Sequence, residues 1–112
     1  MVFNRVEKRK SPRINVAFPI RYQIPGTAEV ISCLTNNIGM GGVGFMSNNF
    51  IPTKTPLKLE INLRNRILNP EAKVSWVSSI PHSDNYYSGI EFTQLTVFDK
   101  ERLADYIELK SY

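Results

Sequence analysis

The sequence predicts a mostly β fold, a six-stranded antiparallel split β-barrel followed by one C-terminal α-helix. Two patterns lead to this prediction. Apolar and polar residues alternate in several short segments, which is the period of a half-buried strand, and clusters of Gly, Pro and Asn separate these segments. Because the connections are short, the strands are expected to pair antiparallel, and closing the sheet into a barrel hides its edges.

Alternation is clearest in residues 57–63, where four aliphatic side chains share one face. Alternation or an apolar, β-branched composition predicts five further strands, around 16–22, 28–36, 42–47, 74–77 and 90–92. Trp76 is in phase with Val74 and is therefore predicted to lie in the core. The side chains predicted to face the core are Val16, Phe18, Ile20, Tyr22, Leu57, Leu59, Ile61, Leu63, Val74, Trp76, Ile90 and Phe92.

The last segment changes from a strand period to a helix period. Thr96 offers an N-cap hydroxyl with Asp99 three residues later, and Leu103, Tyr106 and Ile107 follow at helical spacing. These signals predict a helix over about residues 97–109. Its apolar stripe is narrow, so the helix is expected to lie across the surface or the mouth of the barrel.

Positive charge is concentrated at the N-terminal end of the chain. The 112 residues carry 14 Lys and Arg against 10 Asp and Glu, and residues 1–21 hold a net +5 while the remainder holds −1. Arg21 is in phase with the outward side of the first strand and is assigned to the barrel surface. We therefore divide the chain into a basic arm, residues 1–14, and one barrel domain with its helix, residues 15–112, a layout suited to an anionic partner.

Several protein classes are excluded at this stage. Cys33 is the single cysteine and cannot form an internal disulfide, and His82 has no cysteine partners with which to make a zinc site. No apolar run approaches the about 18 residues of a membrane span, and the N-terminal end lacks the apolar region of a signal peptide. We expect a cytoplasmic protein, monomeric or weakly dimeric, that is not an enzyme and uses no metal or cofactor.

A glycine-rich segment, Gly39 to Gly44, satisfies the G-x-G-x-x-G pattern of dinucleotide-binding units. That pattern works only between a strand and a helix, and here a strand follows, so a Rossmann unit is rejected. The glycines instead permit a positive-φ turn and allow a ligand to approach bare backbone. A glycine-rich hairpin without a ligand is the alternative.

Two arginines four residues apart, Arg9 and Arg13, directly precede the first strand. A guanidinium group can bind phosphate oxygens or the O6 and N7 acceptors of guanine in a bidentate manner, and it can stack on a purine. The pair is therefore suited to a compact ligand with phosphate and guanine groups. Arg5 and Arg9 form an overlapping pair, but Arg13 adjoins the strand, and a solvated basic tail is the alternative for the whole segment.

Together these motifs resemble the PilZ domain family. Arg9 to Arg13 matches its R-x-x-x-R arm, and Asn37 to Gly42 partly matches its [D/N]-x-[S/A]-x-x-G turn. A strand with a tryptophan, Val74 to Val77, and a G-x-x-F strand, Gly89 to Phe92, also fit, as does the closing helix. The resemblance runs from about residue 5 to the end of the chain and implies the same six-stranded barrel.

PilZ domains typically bind the bacterial second messenger cyclic di-GMP, so the resemblance implies a receptor that switches on ligand binding. An unidentified protein partner in motility, adhesion or exopolysaccharide machinery would be regulated. The implied ligand-binding residues are Arg9, Arg13, Asn37, Gly39 and Gly42, with Lys8 and Lys10 as accessory contacts. Gly39 occupies the position usually held by serine, which removes one hydroxyl contact.

Two other functions are kept open. The first is a PilZ-fold interaction module that does not bind cyclic di-GMP, motivated by Gly39 in the serine position. The second is nonspecific nucleic-acid binding by the basic arm, which ranks low because the rest of the chain lacks a strip of basic and aromatic residues. Specific nucleic-acid recognition is not expected.

Overall fold

The computed structural model describes residues 13–63 and 66–110, which form seven strands and one helix. The strands are β1 (Pro19–Gln23), β2 (Val30–Gly39), β3 (Gly42–Ser47), β4 (Pro56–Leu63), β5 (Arg66–Leu68), β6 (Glu71–Ser79) and β7 (Tyr86–Gln94). The helix α1 covers Val97–Lys110, close to the predicted span of residues 97–109.

Six of the strands form a closed antiparallel barrel, as predicted. Their order is β1-β2-β3-β7-β6-β4, and β4 pairs with β1 to close the ring. Strand β5 is a seventh strand that pairs only with β4, outside the ring. The sequence did not predict β5, because its three residues are too few to show a two-residue period.

The barrel is filled by one cluster of buried side chains. Tyr22 of β1 stacks on Phe45 of β3 with ring centroids 5.4 Å apart. Burial of each large apolar side chain stabilises the fold by roughly 1.5–3 kcal/mol. The cluster comprises Phe18, Ile20, Tyr22, Ile38, Val43, Phe45, Ile51, Leu57, Leu59, Ile61, Leu63, Leu68, Ala72, Val74, Ile90, Leu103 and Ile107.

Most predicted core positions are confirmed. All four predicted side chains of β4 are buried, while Val16 and Phe92 are half-buried at the margin of the cluster. Arg21 lies on the outer face of β1, where its guanidinium group is 2.7 Å from Glu60 on β4. This arginine therefore belongs to the barrel surface, as expected.

The prediction for Trp76 is wrong. The tryptophan is 47% exposed, whereas Val74 is fully buried. A β-bulge interrupts the register of β6 between these two residues, so that Ser75 is an extra residue and Trp76 turns to the outer face. A second bulge interrupts β2 between Thr35 and Asn37 in the same way.

Helix α1 lies against the barrel with one narrow face. The hydroxyl of Thr96 accepts a hydrogen bond from the backbone N–H of Asp99 at 3.1 Å, which confirms the predicted N-cap. Leu103 and Ile107 are buried, and Tyr106 contacts Phe18 edge to face. Most other positions of the helix are exposed, which agrees with a helix on the barrel surface.

Candidate functional site

The segment before β1 is bonded to β2 next to the glycine hairpin. Ile14 and Ile38 exchange two backbone hydrogen bonds, of 2.9 and 3.0 Å. This bridge places the preceding residue, Arg13, beside Asn37, and the arginine donates a hydrogen bond of 2.6 Å to the Asn37 Oδ1 atom. Two predicted site residues that are 24 positions apart in the sequence are thus brought together.

A row of four residues crosses the outer face of the barrel at the level of Asn37. Asn37 on β2 pairs with Gly44 on β3, Gly44 pairs with Gly89 on β7, and Gly89 pairs with Trp76 on β6. The two bulges lie at the ends of this row, in β2 and β6. They turn Asn37 and Trp76 outward, and bulges commonly re-aim side chains in this way next to functional sites.

The two glycines in the middle of the row allow its ends to lie flat on the sheet. A Cβ atom at Gly44 would be 2.9 Å from Asn37 Nδ2, and one at Gly89 would overlap the indole ring of Trp76. Because neither glycine has a side chain, the Asn37 carboxamide and the Trp76 indole rest against backbone. Both glycines are buried beneath these side chains, so the outer surface of the row consists of one amide and one aromatic ring.

Tyr87, two residues before Gly89 on β7, joins the two sides of the surface. Its ring contacts Trp76 edge to face, with centroids 5.7 Å apart. Its hydroxyl oxygen accepts a hydrogen bond from Asn36 Nδ2 and lies 3.4 Å from Asn37 Nδ2. Hydrogen bonds and a ring contact therefore run continuously from Arg13 to Trp76.

The glycine hairpin has a different geometry from the one expected. Gly39, the last residue of β2, pairs with Gly42, the first residue of β3, so the turn itself consists of Met40 and Gly41. Gly26 is the only glycine in the described ranges with a positive φ, so the expected positive-φ turn at the cluster is not found. Gly42 instead allows close strand packing, since a Cβ atom there would overlap the carbonyl oxygen of Ile90.

Charged groups near the row are exposed to solvent. Arg13 is exposed, and on the adjacent row Lys73 lies 3.9 Å from Glu91, so that their charges offset each other. Arg13 is therefore the cation that the described residues place directly at the Asn37 amide. Arg9, Lys8 and Lys10 lie outside the described residues, as does Arg5, and their assigned roles stay predictions.

Other residues considered from the sequence lie away from this surface. Cys33 is half-buried in β2, and burial raises the pKa of its thiol to about 12, so it is protonated at neutral pH. His82 is exposed in the turn between β6 and β7. Within residues 13–63 and 66–110, no cluster of His, Cys, Asp and Glu could hold a metal ion, and no helix is long and apolar enough to cross a membrane.

Sequence reasoning missed three side chains of this surface. Asn36 and Tyr87 were not singled out, and Trp76 was assigned to the core. The available signals were two pairs of adjacent polar or aromatic residues, Asn36-Asn37 and Tyr86-Tyr87. Successive residues of a strand point to opposite faces, so at least one residue of each pair is expected on the outer face.

Comparison with known proteins identifies related folds. The family model for the PilZ domain matches residues 7–109. The structure is similar to that of the Bacillus subtilis inhibitor of motility (MotI/DgrA), with a TM-score of 0.82, 22% identity and 92% of this chain covered. The chain spans about half of that protein, 51% of its length. No curated protein sequence matches the chain.

Two structures of ligand complexes are also similar. The PilZ domain of Escherichia coli YcgR with c-di-GMP has a TM-score of 0.73 and 12% identity, and the match covers 93% of this chain and 92% of that one. The K. pneumonia MrkH–c-di-GMP complex has a TM-score of 0.69 and 16% identity, covering 89% of this chain and 50% of that one. The similarity to these structures concerns the fold, whereas the family model covers nearly the whole chain, and the chain therefore belongs to the PilZ domain family.

Proposed function

We propose that the chain is a cyclic di-GMP receptor module. The observation that carries this proposal is the pairing of Arg13 with Asn37 at one end of an outer-face row whose other end is an exposed indole, Trp76. A cation, an amide and an aromatic ring are the groups needed to bind a phosphate and a purine base. The two glycines between them let the amide and the indole lie flat against the sheet.

The charged part of the ligand would be bound by the arm. Cyclic di-GMP carries two phosphates and two guanines, and Arg13 can donate bidentate hydrogen bonds to a phosphate or to guanine O6 and N7. Arg9 is proposed as the second arginine of this pair, and Lys8 and Lys10 as accessory cations. The hydrogen bond between Arg13 and Asn37 holds the guanidinium group beside the carboxamide, so the two groups can act on the same ligand.

The guanine bases would be bound by the barrel. The carboxamide of Asn37 has both donor and acceptor groups for a guanine edge, and the Trp76 indole offers an exposed face on which a base can stack. Gly39 and Gly42 are proposed to contact the ligand through the hairpin backbone. Gly39 provides no hydroxyl, which weakens binding by about 0.5–1.5 kcal/mol relative to a serine that makes this contact.

Relatives of the same fold support this ligand, because the PilZ domain of YcgR and the MrkH protein were solved with c-di-GMP. We further propose that the module acts in the cytoplasm as a binding protein and not as an enzyme. Ligand binding would draw the basic arm across the barrel and present a new surface to a protein partner. Motility, adhesion and exopolysaccharide machinery are the proposed targets of this switch.

Isothermal titration of the full chain with cyclic di-GMP tests the proposal. Saturable binding near micromolar concentration is expected, and Arg13→Ala should weaken it by about 1.5–3 kcal/mol, which is roughly 10- to 100-fold. Arg21→Ala is the matched control, because it removes another exposed arginine, which lies on β1 and pairs with Glu60 on β4. That control should bind like the wild type.

Absence of binding by the wild type would contradict the proposal and favour an interaction module without the ligand. That alternative predicts that one protein partner is recovered equally with and without cyclic di-GMP. Comparable affinity for random DNA, falling steeply with salt, would instead indicate nonspecific binding by the arm.

A further inference from the structure

Tyr87 is the one residue of the surface whose hydroxyl contacts both asparagines. Its oxygen accepts a hydrogen bond from Asn36 Nδ2 and lies 3.4 Å from Asn37 Nδ2. Asn37 Nδ2 is also 3.4 Å from Asn36 Oδ1. The nitrogen side of the Asn37 carboxamide is therefore surrounded by acceptors.

A tyrosine hydroxyl can donate as well as accept, so the carboxamide is oriented by Asn36 Oδ1, which only accepts, and by Arg13, which only donates. Tyr87 contributes by accepting from Asn36 Nδ2, which leaves Asn36 Oδ1 directed at Asn37. The nitrogen of an asparagine amide is a donor and its oxygen an acceptor, so their orientation follows from the neighbouring groups. With Asn37 Nδ2 directed at Asn36 Oδ1, the oxygen of Asn37 is left to face Arg13 and accepts its hydrogen bond of 2.6 Å. A reversed amide would place its N–H groups against the guanidinium donors, which is unfavourable.

Tyr87 itself is held in a fixed position. It lies on β7 opposite Met46 and Ser78 in the ladder, and its ring packs edge to face against Trp76. The bulge in β2 brings Asn36 and Asn37 within reach of the same hydroxyl. The hydroxyl is therefore anchored by the barrel and is independent of the arm.

We propose that Tyr87 is a positioning residue of the ligand site, which fixes the Asn37 carboxamide so that its oxygen holds Arg13 and its polar edge is ready for a guanine. The inference rests on the proposed function for its ligand but concerns a residue outside the predicted site. It assigns to Tyr87 an effect through Asn37 and no direct contact with the ligand.

The test compares Tyr87→Phe with Tyr86→Phe. The first variant removes the hydroxyl and keeps the ring, and the second removes the hydroxyl of the neighbouring tyrosine, which contacts Phe50 on the other side of the strand. Tyr87→Phe should weaken cyclic di-GMP binding by about three- to tenfold, whereas Tyr86→Phe should leave it unchanged. In an Asn37→Ala background, Tyr87→Phe should cause no further loss.

A second measurement needs no ligand. In NMR spectra of the free protein, Tyr87→Phe should shift the side-chain resonances of Asn37 and Arg13, and Tyr86→Phe should not. Unchanged resonances would overturn the inference whether or not the ligand binds. A wild type that fails to bind cyclic di-GMP would contradict only the proposed function, whereas equal affinity of wild type and Tyr87→Phe, or an additional loss in the Asn37→Ala background, would contradict only the role of Tyr87.

Discussion

Arg13 and Asn37 form the smallest unit of the site. Arg13 is bonded through its side chain to Asn37, and its neighbour Ile14 is bonded through its backbone to Ile38. The backbone bridge at Ile14 limits the positions that the guanidinium group of Arg13 can reach. A ligand that binds this arginine therefore meets a side chain whose conformational freedom is already reduced, which favours affinity.

Cys33 shows how burial controls chemistry at a single residue. It is half-buried opposite Ile20, and burial raises the pKa of its thiol from 9.0 to about 12. The thiolate is the reactive form, so alkylation by iodoacetamide below pH 9 should be much slower in the folded protein than in the urea-unfolded chain. Equal rates in the two states would contradict this assignment.

The same pKa shift predicts a dependence of stability on pH. Because the folded state holds the thiol proton more tightly than the unfolded chain, the contribution of Cys33 is fully present below pH 9.0 and is lost as the pH rises toward about 12. Denaturant unfolding of Cys33→Ala provides the control, because the variant should lose less stability than the wild type over this range.

Two bulges determine which side chains of β2 and β6 lie on the outer face of the barrel. In β2, Thr35 is buried and Asn37 is turned outward, and in β6 the same change separates Val74 from Trp76. Without the bulges, Asn37 and Trp76 would share the inward face of Thr35 and Val74. An extra residue in each strand thus moves an amide and an indole from the core to the surface.

The contact between β6 and β7 at Gly89 gives a prediction for these elements. Gly89→Ala places a Cβ atom where the indole of Trp76 lies, so the ring must move away from the sheet. We expect a loss of about 1–3 kcal/mol in the free energy of unfolding, measured in urea, and a changed emission of Trp76, the chain's single tryptophan.

The matched control is Gly41→Ala. Apart from Gly41 itself and its two chain neighbours, no residue has an atom within 4 Å of a Cβ atom at this position, and the φ of Gly41 is not positive. The substitution should therefore leave both stability and emission near the wild type. If Gly89→Ala behaved like Gly41→Ala, the close packing of the indole on Gly89 would be refuted.

The elements were largely predictable from the sequence, because hydrophobic period and turn residues are local properties. Residues 57–63 and the capped helix after Thr96 were predicted on such local signals and are confirmed. The bulges were not, because an extra residue leaves composition unchanged and depends on pairing with distant strands. The misassignment of Trp76 follows directly from this limit.

At the scale of the whole molecule, the closed ring of strands brings segments that are distant in the sequence together on one outer surface. The site row crosses β2, β3, β7 and β6, and these strands are adjacent only because the chain returns β7 to pair with β3. Chemistry and motif positions single out Arg13 and Asn37 as candidate site residues, and the structure brings the two into contact. Tyr87 and Trp76 could not be singled out in this way, since only the folded ring brings them beside these residues.

A fluorescence titration of the wild-type chain with cyclic di-GMP tests the central claim most directly. Trp76 is the chain's single tryptophan and is 47% exposed at the end of the site row, so its emission reports on this surface alone. The account predicts a saturable change in emission near micromolar ligand that shifts to higher concentration in Arg13→Ala. An emission that does not change with ligand, or an identical titration in the variant, would contradict it.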